Sequence, residues 1–177
     1  LYKSATLRRP DATIGELMRA ANDEVSRDNP EMFFVTVFAG IIDLTSGELA
    51  YCNAGHDNPY VLDPKQSVLA RLEDGAGPPL CTVESFPYVA GRHRLRPGEL
   101  LCLVTDGVVD AQNEAAMRYG SERLQAVLAR LQHDQATARA VVDAVRTDVK
   151  SFVGTAEPAD DVTVLALRWL VPASRSV

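Results

Sequence analysis

The stretch Leu100 to Asn113, LLCLVTDGVVDAQN, constrains the fold more than any other part of the chain. Five apolar residues, Leu100 to Val104, run without a polar break, which fits a strand covered on both faces. The run stops abruptly at Thr105-Asp106-Gly107. A carboxylate at the tip of a buried strand is an unusual place for charge. The following glycine predicts a sharp turn that lets Asp106 project where the sheet ends. A second carboxylate, Asp110, comes four residues later.

Around that strand the pattern reads as α+β. Thr13 to Glu16 spells a capping box, and Ile14, Leu17, Met18, Ala21 and Val25 follow at helical spacing, which predicts a helix from Thr13 to Arg27. Leu1 to Arg9 reads as the tail of an earlier helix. Phe33 to Asp43 is rich in aromatic and β-branched residues and reads as a strand, turned by Leu44 to Gly47 into a second arm, Glu48 to Asn53. Strands are expected at Tyr60 to Asp63, Val68 to Leu72 and Tyr88 to Leu95, with Asp74 to Pro79 as loop. A loop to Gly120 follows Asp106. Two helical patterns come next, one marked by Leu124, Val127, Leu128 and Leu131, the other by Ala138, Val141, Val142, Val145, Val149 and Phe152. Asp160-Asp161 opens a last strand, VTVLALRWL, and the chain from Pro172 is expected to be a frayed tail.

Composition bounds the function classes. The 177 residues suffice for one domain with a sizeable core. A net charge of −6 argues against a broad nucleic-acid surface. No apolar stretch approaches the length of a membrane span and nothing resembles a signal peptide, so the expected location is the cytoplasm. Cys52, Cys81 and Cys102 are scattered without a CxxC pair, which suits reduced core or near-core thiols and not a zinc site. With Leu and not Met at position 1, the chain is expected to be processed, trimmed or part of something longer.

If the strand ending at Asp106 and the strand opening at Asp160 are antiparallel neighbours, their carboxylates meet at one rim, with Asp161 beside them. Grouped carboxylates repel unless a cation neutralises them, and all-oxygen ligands suit Mg²⁺ or Mn²⁺. From spacing alone, the reading of both acids as turn and loop formers stands equally well, because Asp-Gly is a common turn dipeptide. Asn53-Ala54-Gly55-His56 is a third polar cluster just past a strand; taken alone, it is a polar loop with Gly at the turn. His93 and His133 have weaker cases. No G-x-S-x-G, Cys-His pattern or phosphate-binding glycine loop is present.

The segments AYCNAGHDNPYVL, GAGPPL, RPGELLCLVTDGVVDAQN, YGSERL and ADDVTVLALR occur in that order. Together they resemble the sporulation- and stress-type branch of the bacterial metal-dependent serine/threonine phosphatases, the PPM or type 2C superfamily, over Met32 to Arg168. The resemblance implies an α-β-β-α sandwich of two antiparallel sheets flanked by helices, forming a single domain over residues 1–171. It implies hydrolysis of phosphoserine or phosphothreonine by a water activated between two Mn²⁺ or Mg²⁺ ions, without a phosphoenzyme. Asp106 and Asp160 match metal-binding, catalytic positions. Asp110 and His56 match positions near a third metal in relatives, and Asn53 and Gly55, with His56, line the site where substrate binds. The implied substrate is a phosphorylated STAS-type anti-sigma-factor antagonist, with a sensor or receiver domain upstream.

This chain departs from the family pattern in two places. The upstream Gly-Asp motifs that carry further metal-binding Asp residues are missing, so the expectation is an N-terminally truncated domain whose unpaired strands invite a homodimer. Cys81 stands where the family has Gly after Pro-Leu. A non-catalytic phosphatase-like module that binds a partner without turnover is the alternative, and a structural domain whose Asp residues are turn formers is a third reading.

Overall fold

In the computed structural model, which describes residues 11–27, 29–63, 65, 68–131, 136–157 and 160–170, twelve elements follow one another among the described residues. They are α1 (Ile14–Ser26), β1 (Val37–Ile42), β2 (Glu48–Ala54), β3 (Tyr60–Asp63), β4 (Val68–Arg71), β5 (Ala76–Gly77), β6 (Gly91–Arg94), β7 (Leu100–Val104), α2 (Asp106–Val109), α3 (Gly120–Ala129), α4 (Ala138–Val153) and β8 (Val164–Arg168). The chain divides into two units: Leu1–His56 with Glu73–Arg94, and Asp57–Leu72 with Leu95–Val177. Each holds one sheet and its own helices. The expected Leu1–Arg9 helix, the tail from Pro172 and His133 lie outside the described residues.

In the first unit, α1 starts as its capping box requires. The Thr13 hydroxyl accepts from the Glu16 N–H at 3.3 Å, and the Glu16 carboxylate accepts from the Thr13 N–H at 2.8 Å. The helix buries Ile14, Leu17 and Met18 and packs on β1 and β2. Asn22 lies wholly buried on the same helix, where an unpaired amide would be costly. Its Oδ1 accepts from the Cys81 N–H at 2.8 Å and its Nδ2 donates to the Val83 carbonyl at 2.9 Å, so it fastens α1 to the loop after β5.

The sheet of this unit centres on β2, which pairs antiparallel with β1 and β6 and, over Asn53–Ala54, parallel with β5. That two-residue parallel pairing lies inside the expected Asp74–Pro79 loop. The expected strand from Phe33 to Asp43 is shorter. β2 ends opposite Val37, so earlier residues have no ladder to join beyond the bridge from Val35 to Leu80. Asn29 brackets Phe33 instead, accepting its N–H at 2.9 Å and donating to its carbonyl at 2.6 Å. The Tyr88–Leu95 strand is likewise reduced to Gly91–Arg94. Tyr88 turns inward, donates its hydroxyl to the Pro78 carbonyl at 2.8 Å and packs edge-on against Phe86.

In the second unit the sheet order is β4-β3-β7-β8, antiparallel throughout. β7 is interior, and its unbroken apolar run is explained by burial: four of its five residues are buried. Leu100, Cys102 and Val104 join Leu124, Leu128, Val141 and Val145 from α3 and α4 in one core. Fully burying each large aliphatic side chain stabilises by about 1.5–3 kcal/mol. Arg123 on α3 spans to α4: its Nε lies 2.7 Å from Asp148 Oδ2, and its guanidinium stacks over the rings of Tyr119 and Phe152. The loop expected after Asp106 opens instead with the single turn α2.

Candidate functional site

The site begins where β7 and β8 run out together. Their register ends at Val104 opposite Val164, and one residue, Thr105, carries the pairing further. Its N–H donates to the Thr163 carbonyl at 3.1 Å. Its hydroxyl donates to the Asp161 carbonyl at 3.1 Å and accepts from the Thr163 N–H at 3.0 Å. The chain then enters α2 with Asp106 as its first residue.

Gly107 decides how closely the two segments approach. A Cβ there would lie 2.3 Å from the Asp161 carbonyl oxygen and 3.5 Å from the Asp160 carbonyl carbon. The turn expected from this glycine is therefore corrected: Gly107 is helical, with no positive φ, and what it supplies is space for the Asp160–Asp161 backbone. The expected juxtaposition of the two acidic segments is observed. Asp106 and Asp160 are both exposed. Asp106 Oδ1 accepts from the Gly107 N–H at 3.0 Å and Asp160 Oδ1 from the Asp161 N–H at 2.7 Å, which fixes each carboxylate against its own backbone.

Asp110 closes α2, donating its N–H to the Asp106 carbonyl at 2.8 Å. Four residues apart on one helical turn, Asp106 and Asp110 lie on neighbouring positions of the same face. Asp110 Oδ1 is 3.1 Å from Arg118 Nη1, an exposed ion pair. The two line a cleft of about 320 Å³ with Asp57, Tyr60, Arg71 and Ser121.

The donor chemistry of Asp106, Asp160 and Asp161 fits a hard divalent cation, since carboxylate oxygens are what Mg²⁺ and Mn²⁺ prefer. Among the described residues no group of three or more His, Cys, Asp or Glu side chains is arranged to hold a metal.

The Asn53 turn belongs to the other unit. Asn53 is 2% exposed, and both ends of its amide serve the turn: Nδ2 donates to the His56 carbonyl at 2.8 Å and Oδ1 accepts from the His56 N–H at 2.8 Å. Gly55 has φ +72°, and a Cβ on it would strike Pro79 at 2.5 Å. Positive φ and contact together demand glycine there. His56 contributes backbone to this closure and is half-buried.

Sequence reasoning missed three features. Thr105 as the bridge between strands could have been suspected from its place just past an apolar run. The partner of Asp110, Arg118, lies eight residues away with no pattern to mark it. Cys81 sits at φ +69°, in the left-handed region, a conformation that explains why glycine suits the position. All three cysteines are free, Cys52 and Cys102 in the core and Cys81 half-buried beside it, and burial pushes Cys52 up to about 11 and Cys102 up to about 12, which suppresses the thiolate.

Two sheets with their helices, and a buried strand ending in Asp-Gly against Asp-Asp, define a class. The fold is that of the PP2C-type protein phosphatase domains. It matches the SiaA-PP2C domain of Pseudomonas aeruginosa with a TM-score of 0.74 at 21% identity, over 94% of this chain and 65% of that one. It matches the PP2C phosphatase domain, with a fragment of the regulatory domain, of the cell fate determinant SpoIIE from Bacillus subtilis with a TM-score of 0.75 at 15% identity, over 96% of this chain and 47% of that one. The sequence profile described as Stage II sporulation protein E (SpoIIE) matches residues 3–170, and the chain belongs to that family, within the sporulation and stress branch of the PPM phosphatases. A curated relative, Protein IcfG of Synechocystis sp., is 27% identical over 151 residues, 85% of this chain. The chain spans 23% of that relative's length. Among the described residues no helix is long and apolar enough to cross a membrane.

Proposed function

We propose that this domain hydrolyses phosphoserine or phosphothreonine on a regulatory protein, with Asp106 and Asp160 as ligands of one divalent ion, Mn²⁺ or Mg²⁺, and Asp110 close to it. The observation that carries this reading is the close packing of Gly107 on the Asp161 carbonyl, which brings both acidic segments to one end of the β7–β8 pair. Solved structures of the same fold include a SpoIIE phosphatase domain presoaked in manganese (TM-score 0.67) and RsbX in complex with magnesium (TM-score 0.62), which supports the choice of ion.

When bound, the ion supplies Lewis acidity and neutralises charge on the phosphoryl oxygens. The residues of this chain do the positioning. Thr105 locks the two strand extensions together. The Gly107 and Asp161 N–H groups each hold one oxygen of the acid beside them. Arg118 sets the orientation of Asp110. Asn53 and Gly55 shape the turn that presents His56, and the role we assign that turn is to line the substrate's approach.

The proposed substrate is a phosphorylated STAS-type anti-sigma-factor antagonist in the cytoplasm, with a sensor or receiver domain as the regulatory partner. Membership of the SpoIIE family supports that choice. The test is phosphate release from a phosphoserine protein by the full-length protein with Mn²⁺. Asp106→Ala is expected to lower the rate by about 100-fold, as loss of metal-site groups does. No release, or release indifferent to Asp106→Ala, would overturn the reading and favour a module that binds a phosphoprotein without turnover.

A further inference from the structure

A second cleft, of about 290 Å³, opens beside the acidic tip, and the proposed mechanism does not use it. Gly107 and Asp160 form part of its lining, so it is continuous with the candidate site. The rest is built largely from one stripe of α4. Arg146, Val149, Lys150 and Val153 recur at intervals of three, one and three residues, the spacing of a single helical face. Val149 is buried, and Val162, also part of the lining, is 43% exposed. The lining is thus mainly apolar, with two cations on α4 and the Asp160 carboxylate set into it. At the lower end of the size range for ligand pockets, the cleft suits one or two side chains and not a whole cofactor.

The two cations are available. Arg146 Nη2 lies 3.8 Å from Asp143 Oδ1, a long pair with both side chains well exposed, and such pairs contribute little. Lys150 has no carboxylate partner among the described residues. The chain as a whole carries a net charge of −6, which disfavours an acidic partner over most of its surface. Two cations on one face beside the acidic tip are a local exception, and the charge that complements them is negative.

We propose that this cleft is a docking subsite for the segment flanking the phosphorylated residue of the substrate protein, a segment with one apolar side chain next to acidic residues. The apolar side chain fills the space between Val149, Val153 and Val162, and the acidic residues pair with Arg146 and Lys150. The inference rests on the phosphatase reading for what lies at the acidic tip, but the docking itself does not require turnover.

Two synthetic phosphoserine peptides of equal length test it on the full-length protein with Mn²⁺. One carries Leu-Asp-Asp beside the phosphoserine and the other Ser-Lys-Lys. KM for the first is expected to be lower by about tenfold, equivalent to about 1.4 kcal/mol. Charge reversal by R146E with K150E is expected to invert that preference, and K150R to preserve it. In parallel, fluorescence anisotropy follows a dye-labelled, unphosphorylated Leu-Asp-Asp peptide without metal. Wild type and K150R should bind it alike, and the doubly reversed variant about tenfold more weakly. Equal affinity in all three proteins, or a KM ratio untouched by charge reversal, overturns the docking site while leaving the phosphatase reading standing. Charge-sensitive binding with no hydrolysis of either peptide supports the docking site and sinks the phosphatase reading.

Discussion

At the end of β2, Asn53 is buried and both ends of its amide close on the backbone of His56, so the polar side chain is consumed by the turn it makes. At the end of β7, Asp106 is exposed and gives one oxygen to the Gly107 N–H, as Asp160 gives one to Asp161; no hydrogen bond engages their second oxygens among the described residues. Both clusters are polar residues just past a strand, next to a glycine. What separates them is where the satisfaction of the hydrogen-bonding groups ends. A side chain whose donors and acceptors are all matched locally is architecture. A carboxylate steadied by one bond and open at the other is poised for something outside the chain.

Substitutions can break that contrast. The largest effect is expected from Gly107→Ala, whose added Cβ would lie 2.3 Å from the Asp161 carbonyl oxygen. Backbone displacement of this kind costs about 1–3 kcal/mol, and here the upper end is expected because the clash is with backbone. Urea denaturation measures it, and an unshifted midpoint would show that the two segments are not tightly packed. Next comes Asn53→Ala, which strands two backbone groups of His56 and should cost about 2 kcal/mol, whereas Asp106→Ala at an exposed position should stay within about 0.5 kcal/mol. Equal losses at the two positions would erase the distinction between them.

A smaller gain is expected from Cys81→Gly. Relief of the left-handed backbone is worth about 1–2 kcal/mol, partly offset by the extra freedom of glycine in the unfolded chain at about 0.5–1 kcal/mol. A net rise of about 0.5 kcal/mol should appear in the thermal midpoint, and a fall would show that the thiol's packing outweighs the strain.

The smallest effect concerns acid stability. The hydrogen bonds from Arg123 hold the Asp148 carboxyl below its ordinary value, with Tyr119 adding to them against the effect of burial. A folded-state pKa below the unfolded value stabilises above the unfolded pKa, about 3.9, and that contribution is lost as pH falls through the folded value. Asp148→Asn should therefore flatten the decline in melting temperature below about pH 4, relative to wild type. An unchanged acid limb would show that the Arg123 knot does not hold the charge.

Much of this was legible in the sequence because it was written in local pattern. The capping box at Thr13 gave α1 to within a residue, and the apolar run Leu100 to Val104 matched β7 at both ends. The approach of the Asp160–Asp161 backbone to the end of β7 followed from two antiparallel strands, one closing on an acid and the other opening after a pair of them. The SpoIIE family profile supports the recognition made from five ordered motifs. What local pattern could not carry was partner supply. Phe33 and Phe34 have the composition of a strand, but β2 offers them no ladder, so they lie exposed. Ala76–Gly77 looks like loop, yet its backbone finds Asn53–Ala54. The role of Gly107 escapes local pattern for the same reason. The residue it makes room for lies 54 positions away in the sequence, and no local rule registers a contact at that separation.

The central claim is that Asp106 and Asp160 serve one ion. Calorimetric titration of the full-length protein with Mn²⁺, across wild type, Asp106→Asn, Asp160→Asn and the double variant, addresses it directly. If the claim holds, each single substitution weakens binding by about tenfold or more, and the double variant falls well short of the product of the two, as groups sharing one site do. Wild-type affinity in either single variant, or two losses that simply multiply, would contradict it.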